Sequence, residues 1–178
     1  MISGHVFIAT SLDGFIAKPD GDIQWLISRD DPQEDHGYND FIKNIDGIIM
    51  GRGTFEKALS FASWYYTLPV IVLSQKLTEN DIPEHLKDKV QISKLTPQDL
   101  MAALETKGWK RVYVDGGQTI QSFLRENLIK DMVITTVPVL IGEGRRLFGA
   151  VTDDISVKHI KTTTFPSGLV QTEYQVVR

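Results

Sequence analysis

Residues 48–55 read Ile48-Ile49-Met50-Gly51-Arg52-Gly53-Thr54-Phe55, and this stretch decides the fold. Its apolar, β-branched start fits a strand covered on both faces, and it passes through glycines directly into residues that suit a helix. A strand that runs at once into a helix is the opening of a βαβ unit, so the class is α/β. At such a junction the first helical N–H groups lack intrahelical partners and the helix dipole is positive, which favours a phosphate. Arg52 adds a planar, permanently charged donor. Thr54 either caps the helix or bonds the phosphate. The plain alternative is a tight strand-to-helix turn that happens to contain an arginine.

Similar short runs recur on both sides of this stretch, bounded by Gly, Pro, Asp and Asn, and predict strands over 5–10, 46–50, 70–74, 90–93, 111–114 and 132–137. Helical spacing between them predicts helices over 38–44, 54–59, 96–107 and 119–127. The third helix is the clearest, with Thr96 as N-cap, Pro97 in the first turn, Leu100, Ala103 and Leu104 as one apolar stripe, and Gly108 as the stop. Towards the end, 155–164 and 169–177 are β-rich runs separated by Phe165-Pro166-Ser167-Gly168, a hairpin signal that makes the sheet mixed. The polar segment 28–39 reads as a mobile loop lying over the site.

A chain of 178 residues suits a single domain over 1–178, able to bury roughly 70% of its unfolded surface. Its 42% hydrophobic and 24% charged residues are those of an ordinary globular protein. A net charge of −4 with no basic run longer than Arg145-Arg146 argues against a nucleic-acid partner. The absence of cysteine excludes disulfides and thiolate metal sites and agrees with a reducing compartment. No signal peptide or membrane-spanning run is expected, so the expectation is a soluble protein of the cytoplasm, with no membrane partner.

Two further strand ends could converge with the first, since ligands of open α/β sheets gather beyond the carboxyl ends of strands. Val112-Tyr113-Val114-Asp115-Gly116-Gly117-Gln118-Thr119 carries paired glycines that let a backbone approach a pyrophosphate, although a plain turn would look the same. Val70-Ile71-Val72-Leu73-Ser74-Gln75-Lys76 ends in groups that could hold an adenosine ribose 2′-phosphate, with a solvated lysine as the alternative for Lys76. No GxGxxG fingerprint occurs, which weakens an ordinary Rossmann reading.

In this order the segments resemble the dihydrofolate reductase-like superfamily, and most closely the stand-alone relatives of the riboflavin-biosynthesis reductase domain. The marks are Ser11-Leu12-Asp13-Gly14-Phe15-Ile16-Ala17, Met50-Gly51-Arg52-Gly53-Thr54, Leu73-Ser74, Asp115-Gly116-Gly117, and Pro138-Val139-Leu140-Ile141-Gly142-Glu143-Gly144 with Phe148. The resemblance implies a mixed, mostly parallel eight-stranded sheet ending in an antiparallel hairpin, with helices on both faces. It implies NADPH as cofactor and hydride transfer to a small pterin- or pyrimidine-like heterocycle, in a homodimer. By the same likeness, Gly51, Arg52, Gly53 and Thr54 match the cofactor-phosphate turn. Leu73, Ser74 and Gln75 match the adenosine side, and Gly116, Gly117, Gln118 and Thr119 the pyrophosphate loop. Ala9 and Ile16 join this cofactor-binding set, with the 11–17 loop beside the nicotinamide. The zinc deaminase that often accompanies such a domain needs cysteine ligands, which are absent here.

Reduction of a C=N bond also needs a proton, which a carboxylate can supply. Dihydrofolate reductases carry one on a helix shortly after a tryptophan of the first loop. Counting on from Trp25 reaches Asp30, whereas counting back from Gly51 reaches Asn39, so the spacing departs from folate enzymes within 30–39. Asp30, Asp31, Glu34, Asp35 and Asp40 are candidates there, with solvated loop charge as the alternative for each. Asp13 is a further candidate, against a turn-forming role, and the resemblance adds Glu143 beside the active site. His36 reads as solvated. Trp25, Trp64, Tyr65 and Tyr66 could stack on a heterocycle, with core packing as the alternative for each, and Trp25 is the one expected on the substrate because it follows the loop beside the nicotinamide. A non-catalytic nucleotide-binding or regulatory module on the same fold is the alternative function, and a structural or interaction protein the next.

Overall fold

The computed structural model describes residues 1–177. In chain order its strands are β1 (Ser3–Ser11), β2 (Phe15–Ala17), β3 (Gly47–Gly51), β4 (Val70–Leu73), β5 (Val90–Ser93), β6 (Arg111–Asp115), β7 (Ile129–Val137), β8 (Arg145–Arg146), β9 (Val157–Thr164) and β10 (Val170–Val176). The α-helices are α1 (Gln24–Ile27), α2 (Tyr38–Ile42), α3 (Arg52–Leu59), α4 (Pro97–Thr106) and α5 (Gly117–Arg125), and single 3-10 turns lie at Glu79–Asp81 and Glu84–Leu86.

Alternation along the inner strands sorts the core into two layers. Ile48, Met50, Val70, Val72 and Tyr113 point to one face, where Phe55 and Ala58 of α3 and Ile82 and Leu86 of the 3-10 turns cover them. Ile49, Ile71, Val112 and Val114 point to the other, beneath Leu100, Met101 and Leu104 of α4 and Ile120, Phe123 and Leu124 of α5. Both faces being covered, these strands are apolar throughout, as the sequence pattern required.

The eight-stranded sheet runs β5-β4-β3-β6-β1-β7-β10-β9. Pairing is parallel from β5 through β7 and antiparallel in the C-terminal hairpin, which is the mixed α/β arrangement expected. After β3 the chain leaves through α3 towards β4, and after β6 it leaves through α5 towards β7, on the other side. The order therefore reverses between β3 and β6, where Met50 stands opposite Asp115. A crevice opens at that switch point.

α4 is capped as its sequence dictates: the Thr96 side chain accepts from the Asp99 N–H at 3.2 Å, Pro97 opens the first turn, and Gly108 follows at φ +90°. Other boundaries differ from expectation for a physical reason. α3 starts at Arg52 and α5 at Gly117, because Gly51 and Gly116 serve as N-caps through backbone geometry alone. Thr54 thus lies inside the first turn of α3 and is not its cap. Residues 15–17, read as loop, form β2 and pair with β8 through Phe15↔Arg146 and Ala17↔Arg145.

The 28–39 segment is not a free loop over the site. The Glu34 carboxylate accepts from the Ser167 N–H at 2.8 Å and the Ser167 hydroxyl at 2.6 Å, which ties the segment to the hairpin turn. The Gln171 side-chain amide donates to the His36 carbonyl at 2.9 Å and adds a second tie. Among the described residues no helix is long and apolar enough to cross a membrane.

Candidate functional site

A groove of about 630 Å³ runs over the carboxyl ends of β3 and β6, lined by Gly51 to Thr54, Leu73, Gly116 to Thr119, Arg145 and Arg146. The N-termini of α3 and α5 both open into it, and neither is capped by a side chain. Each leaves N–H donors and a positive dipole end for an anion, a contribution of about 0.3–1 kcal/mol per helix at an exposed site. Glycine is required where the two turns meet. Gly116 stands at φ +92°, and a Cβ there would fall 2.4 Å from Thr54 Oγ1; one at Gly117 would fall 2.5 Å from the Arg146 carbonyl oxygen. Side chains at these positions would fill the cradle.

Arg52, half-exposed, pairs with Glu56 one turn on at 3.3 Å. An exposed i,i+4 pair is worth only about 0.3–0.5 kcal/mol, so a phosphate can displace Glu56 readily. Arg146 stacks its guanidinium on the Phe15 ring at 4.8 Å to the centroid. Arg145 projects from the same short strand, and its guanidinium lies against Gly21 and Gly53, within 3.2 Å of where a Cβ at Gly53 would stand. A chain of net charge −4 thus concentrates Arg52, Arg145 and Arg146 on one crevice, a charge arrangement that favours an anion.

At its inner end the groove meets a second cavity, of about 270 Å³, which shares Ile16, Gly53, Thr54, Gly116 and Arg145 with it. The inner pocket is walled by Phe7, Ala9, Ile23, Phe61, Tyr65 and Tyr113, with Asp115 among its lining groups and Lys57 beside them. Asp115 accepts from the Gly116 N–H at 2.9 Å and from the Tyr66 hydroxyl at 3.2 Å. Burial outweighs these bonds and pushes its carboxyl above the usual range. Tyr38, on the far side of the aromatic wall, is pushed up to about 12, chiefly by burial.

The sequence-derived candidates distribute unevenly over these two cavities. Gly51, Arg52, Gly53, Thr54, Leu73, Gly116, Gly117, Gln118 and Thr119 line the groove, Ala9 lines the inner pocket, and Ile16 lines both. Ser74 and Gln75 face elsewhere. The Ser74 hydroxyl accepts from the N–H groups of Lys76 and Leu77, closing a turn, and the Gln75 amide donates to the Lys94 carbonyl.

The expected carboxylates are occupied or distant. Asp13 is held below the usual carboxylate range, first by the Ser11 hydroxyl at 2.6 Å and also by the N–H groups of Gly142 and Ile141. It is an ionised acceptor that pins the 138–144 loop, and it has no proton to give at neutral pH. Asp30 lies exposed, 3.6 Å from His36 Nδ1, and Glu143 is exposed on its loop; neither lines the groove or the inner pocket. Glu34 is engaged with Ser167 and His36. Trp25, expected against the substrate, is only 6% exposed and packs with Val137 and Leu169 in a separate cluster. Its neighbours Leu26 and Ile23 reach the inner pocket instead.

The residues that sequence reading missed are Lys57, Phe61, Arg145, Arg146 and above all Asp115. Asp115 stands immediately before the glycine pair, at the carboxyl end of a strand beside the switch point, and that position was the available signal.

Residues 4–171 match the RibD C-terminal domain family. The protein YwjB of Bacillus subtilis is 31% identical over 164 residues, 90% of each chain, and YyaP of the same organism is 28% identical over 190 residues, 94% of this chain and 91% of that one. A solved structure from Shewanella sp. PV-4, named for riboflavin biosynthesis, superposes with a TM-score of 0.93 at 42% identity, covering 99% of this chain and all of that one. A deaminase/5-amino-6-(5-phosphoribosylamino)uracil reductase of Thermotoga maritima superposes with a TM-score of 0.77 at 14% identity over 99% of this chain and 57% of its own, which is a likeness of fold.

Proposed function

The chain belongs to the RibD C-terminal domain family, and from that premise we propose that it is an NADPH-dependent reductase of a small planar heterocycle. The observation that carries this reading is the junction at Gly116, where an anion-binding groove with free helix N-termini opens into a narrow aromatic pocket holding one carboxyl group. The groove fits the cofactor: Gly51 to Thr54 and Gly116 to Thr119 would hold its phosphates through N–H groups, and Arg52 its 2′-phosphate. Bound there, NADPH supplies a hydride to the substrate.

The chain's own residues then have three tasks. Phe61 and Tyr65 would flank a flat ring and exclude water from it. Lys57 and Arg145, beside the mouth, would hold an anionic substituent such as the phosphoribosyl group in the substrate that gives the Thermotoga reductase its name. Asp115 would donate the proton that the reduced bond takes, its carboxyl being kept protonated to higher pH by burial.

Titrating the purified protein with NADPH while following tryptophan fluorescence tests the cofactor half of the reading. Saturable binding, tighter than that of NADH, is the expected result. Absence of binding at millimolar NADPH removes the proposal. Oxidation of NADPH in the presence of 5-amino-6-(5-phosphoribosylamino)uracil tests the substrate half.

A further inference from the structure

Among the residues that line both cavities, Arg145 alone carries a charge; the others are Ile16, Gly53, Thr54 and Gly116. Arg52 and Arg146 line the groove only, and Lys57 lines the inner pocket only. The Arg145 guanidinium lies between two glycines. Nη1 is 3.2 Å from where a Cβ at Gly53 would stand, on the phosphate turn, and Nη2 is 3.4 Å from the same point at Gly21, which lines the inner pocket. The base of the side chain is fixed, since Arg145 pairs with Ala17 across the β2–β8 ribbon and a Cβ at the preceding Gly144 would collide with the Ala17 carbonyl.

This charge is left without a partner of its own. Arg52 pairs with Glu56, and Arg146 stacks on Phe15, but no ion pair among the described residues includes Arg145. A cation beside the first turn of α3 also stands at the positive end of that helix, which is unfavourable until an anion enters between them. A guanidinium presents several N–H donors in a planar fork. One edge can therefore serve a phosphate in the groove while the other serves an anionic group in the inner pocket.

We propose that Arg145 bridges the two ligands, so that the cofactor and a phosphorylated substrate tighten each other's binding, a role that rests on the reductase reading above. Whichever ligand arrives first orders a long, exposed side chain, and the second meets a fork already in place. The same positive charge then stands between two anions that would otherwise repel each other. The coupling acts through the anionic group, so a neutral heterocycle gains none of it. Arg145 thereby selects for phosphorylated substrates, and it does so only when the cofactor is present. Lys57 faces one ligand only and takes no part in the coupling.

The bridge is tested by calorimetry on the full chain, with NADP+ as a cofactor that cannot turn over and with uridine 5′-phosphate and uridine as probes that differ only in the phosphate. Saturating uridine 5′-phosphate should lower the NADP+ dissociation constant at least about fivefold, and linkage requires NADP+ to tighten the probe by the same factor. Uridine should leave the NADP+ constant unchanged. Arg145→Gln should bind each ligand with no coupling left, and its thermal unfolding should match the wild type because the side chain is exposed. Arg145→Lys keeps the charge without the fork, and should lose the coupling while binding each ligand more tightly than Arg145→Gln does. Coupling that survives in either variant overturns the bridge. So does a wild-type protein that binds the two ligands independently or in competition, or that does not bind uridine 5′-phosphate at all. In those cases NADP+ binding leaves the reductase reading standing and removes the bridge alone, whereas a wild-type protein that binds no NADP+ removes both.

Discussion

The groove and the inner pocket lie side by side on one sheet edge and are made in opposite ways. The groove is backbone chemistry: free N–H groups, glycines that keep side chains out, and half-exposed arginines held loosely enough to change partners. The inner pocket is side-chain chemistry, with an aromatic wall and one buried carboxyl group that accepts from the Tyr66 hydroxyl. On the proposed function, the first would grip any ligand with phosphates in the right place, and the second would read what is reduced. Binding and turnover should therefore be separable by mutation.

The largest effect is expected from Asp115→Asn, which keeps the shape of the inner pocket but removes its proton. Its kcat should fall by at least about 100-fold, while the NADPH dissociation constant measured by fluorescence stays within about twofold, since the amide oxygen can still accept from the Gly116 N–H that borders the groove. A variant that lost both together would show that the two regions are one. The same variant sharpens the comparison in pH. Burial raises the folded pKa of Asp115 above its unfolded value, so the acid form that donates persists to higher pH and wild-type kcat declines as pH rises through that raised value. Stability moves the same way, declining as pH climbs from the ordinary aspartate pKa to the folded one. Both limbs should be missing from Asp115→Asn.

Arg52→Ala comes next and acts on the other region. Losing a charged hydrogen-bond partner of the 2′-phosphate should weaken NADPH roughly tenfold or more, with NADH scarcely affected and kcat at saturation retained. Equal loss for both nucleotides would mean that Arg52 holds the shared pyrophosphate. The smallest effects belong to the carboxylates that lie outside both regions. Asp30→Asn and Glu143→Gln should each leave kcat unchanged and shift unfolding free energy by less than about 0.5 kcal/mol, as exposed charges do.

This division also explains what the sequence disclosed. The groove was legible because its chemistry is local: Gly51-Arg52-Gly53-Thr54 and Gly116-Gly117-Gln118-Thr119 are contiguous, and a glycine at a strand end has few other purposes. The sheet was legible for a related reason, since strands covered on both faces are apolar throughout. The inner pocket draws Ala9 from β1, Lys57 from α3, Phe61 and Tyr65 from the segment that follows, Asp115 from β6 and Arg145 from β8. Nothing in their spacing joins them; the strand order does. A proton donor sought by counting from Trp25 therefore fell on the 30–40 stretch, whose Glu34 bonds Ser167 and whose Asp40 pairs with Lys43. The buried acid stands one residue ahead of the paired glycines in Asp115-Gly116-Gly117.

The place of β1 has a consequence for how the protein is made. Of the strands in the sheet β1 is first in chain order, yet it lies between β6 and β7, and its His5 side chain meets Asp131 across 126 positions of sequence. Until β6 and β7 have been synthesised, β1 has neither neighbour, and its apolar residues stand without a partner. Such long-range closure slows folding and lengthens the time that sticky surface is exposed. The nascent chain must therefore carry an unpaired central strand until β6 and β7 emerge, and growth conditions that slow elongation would prolong that vulnerable interval.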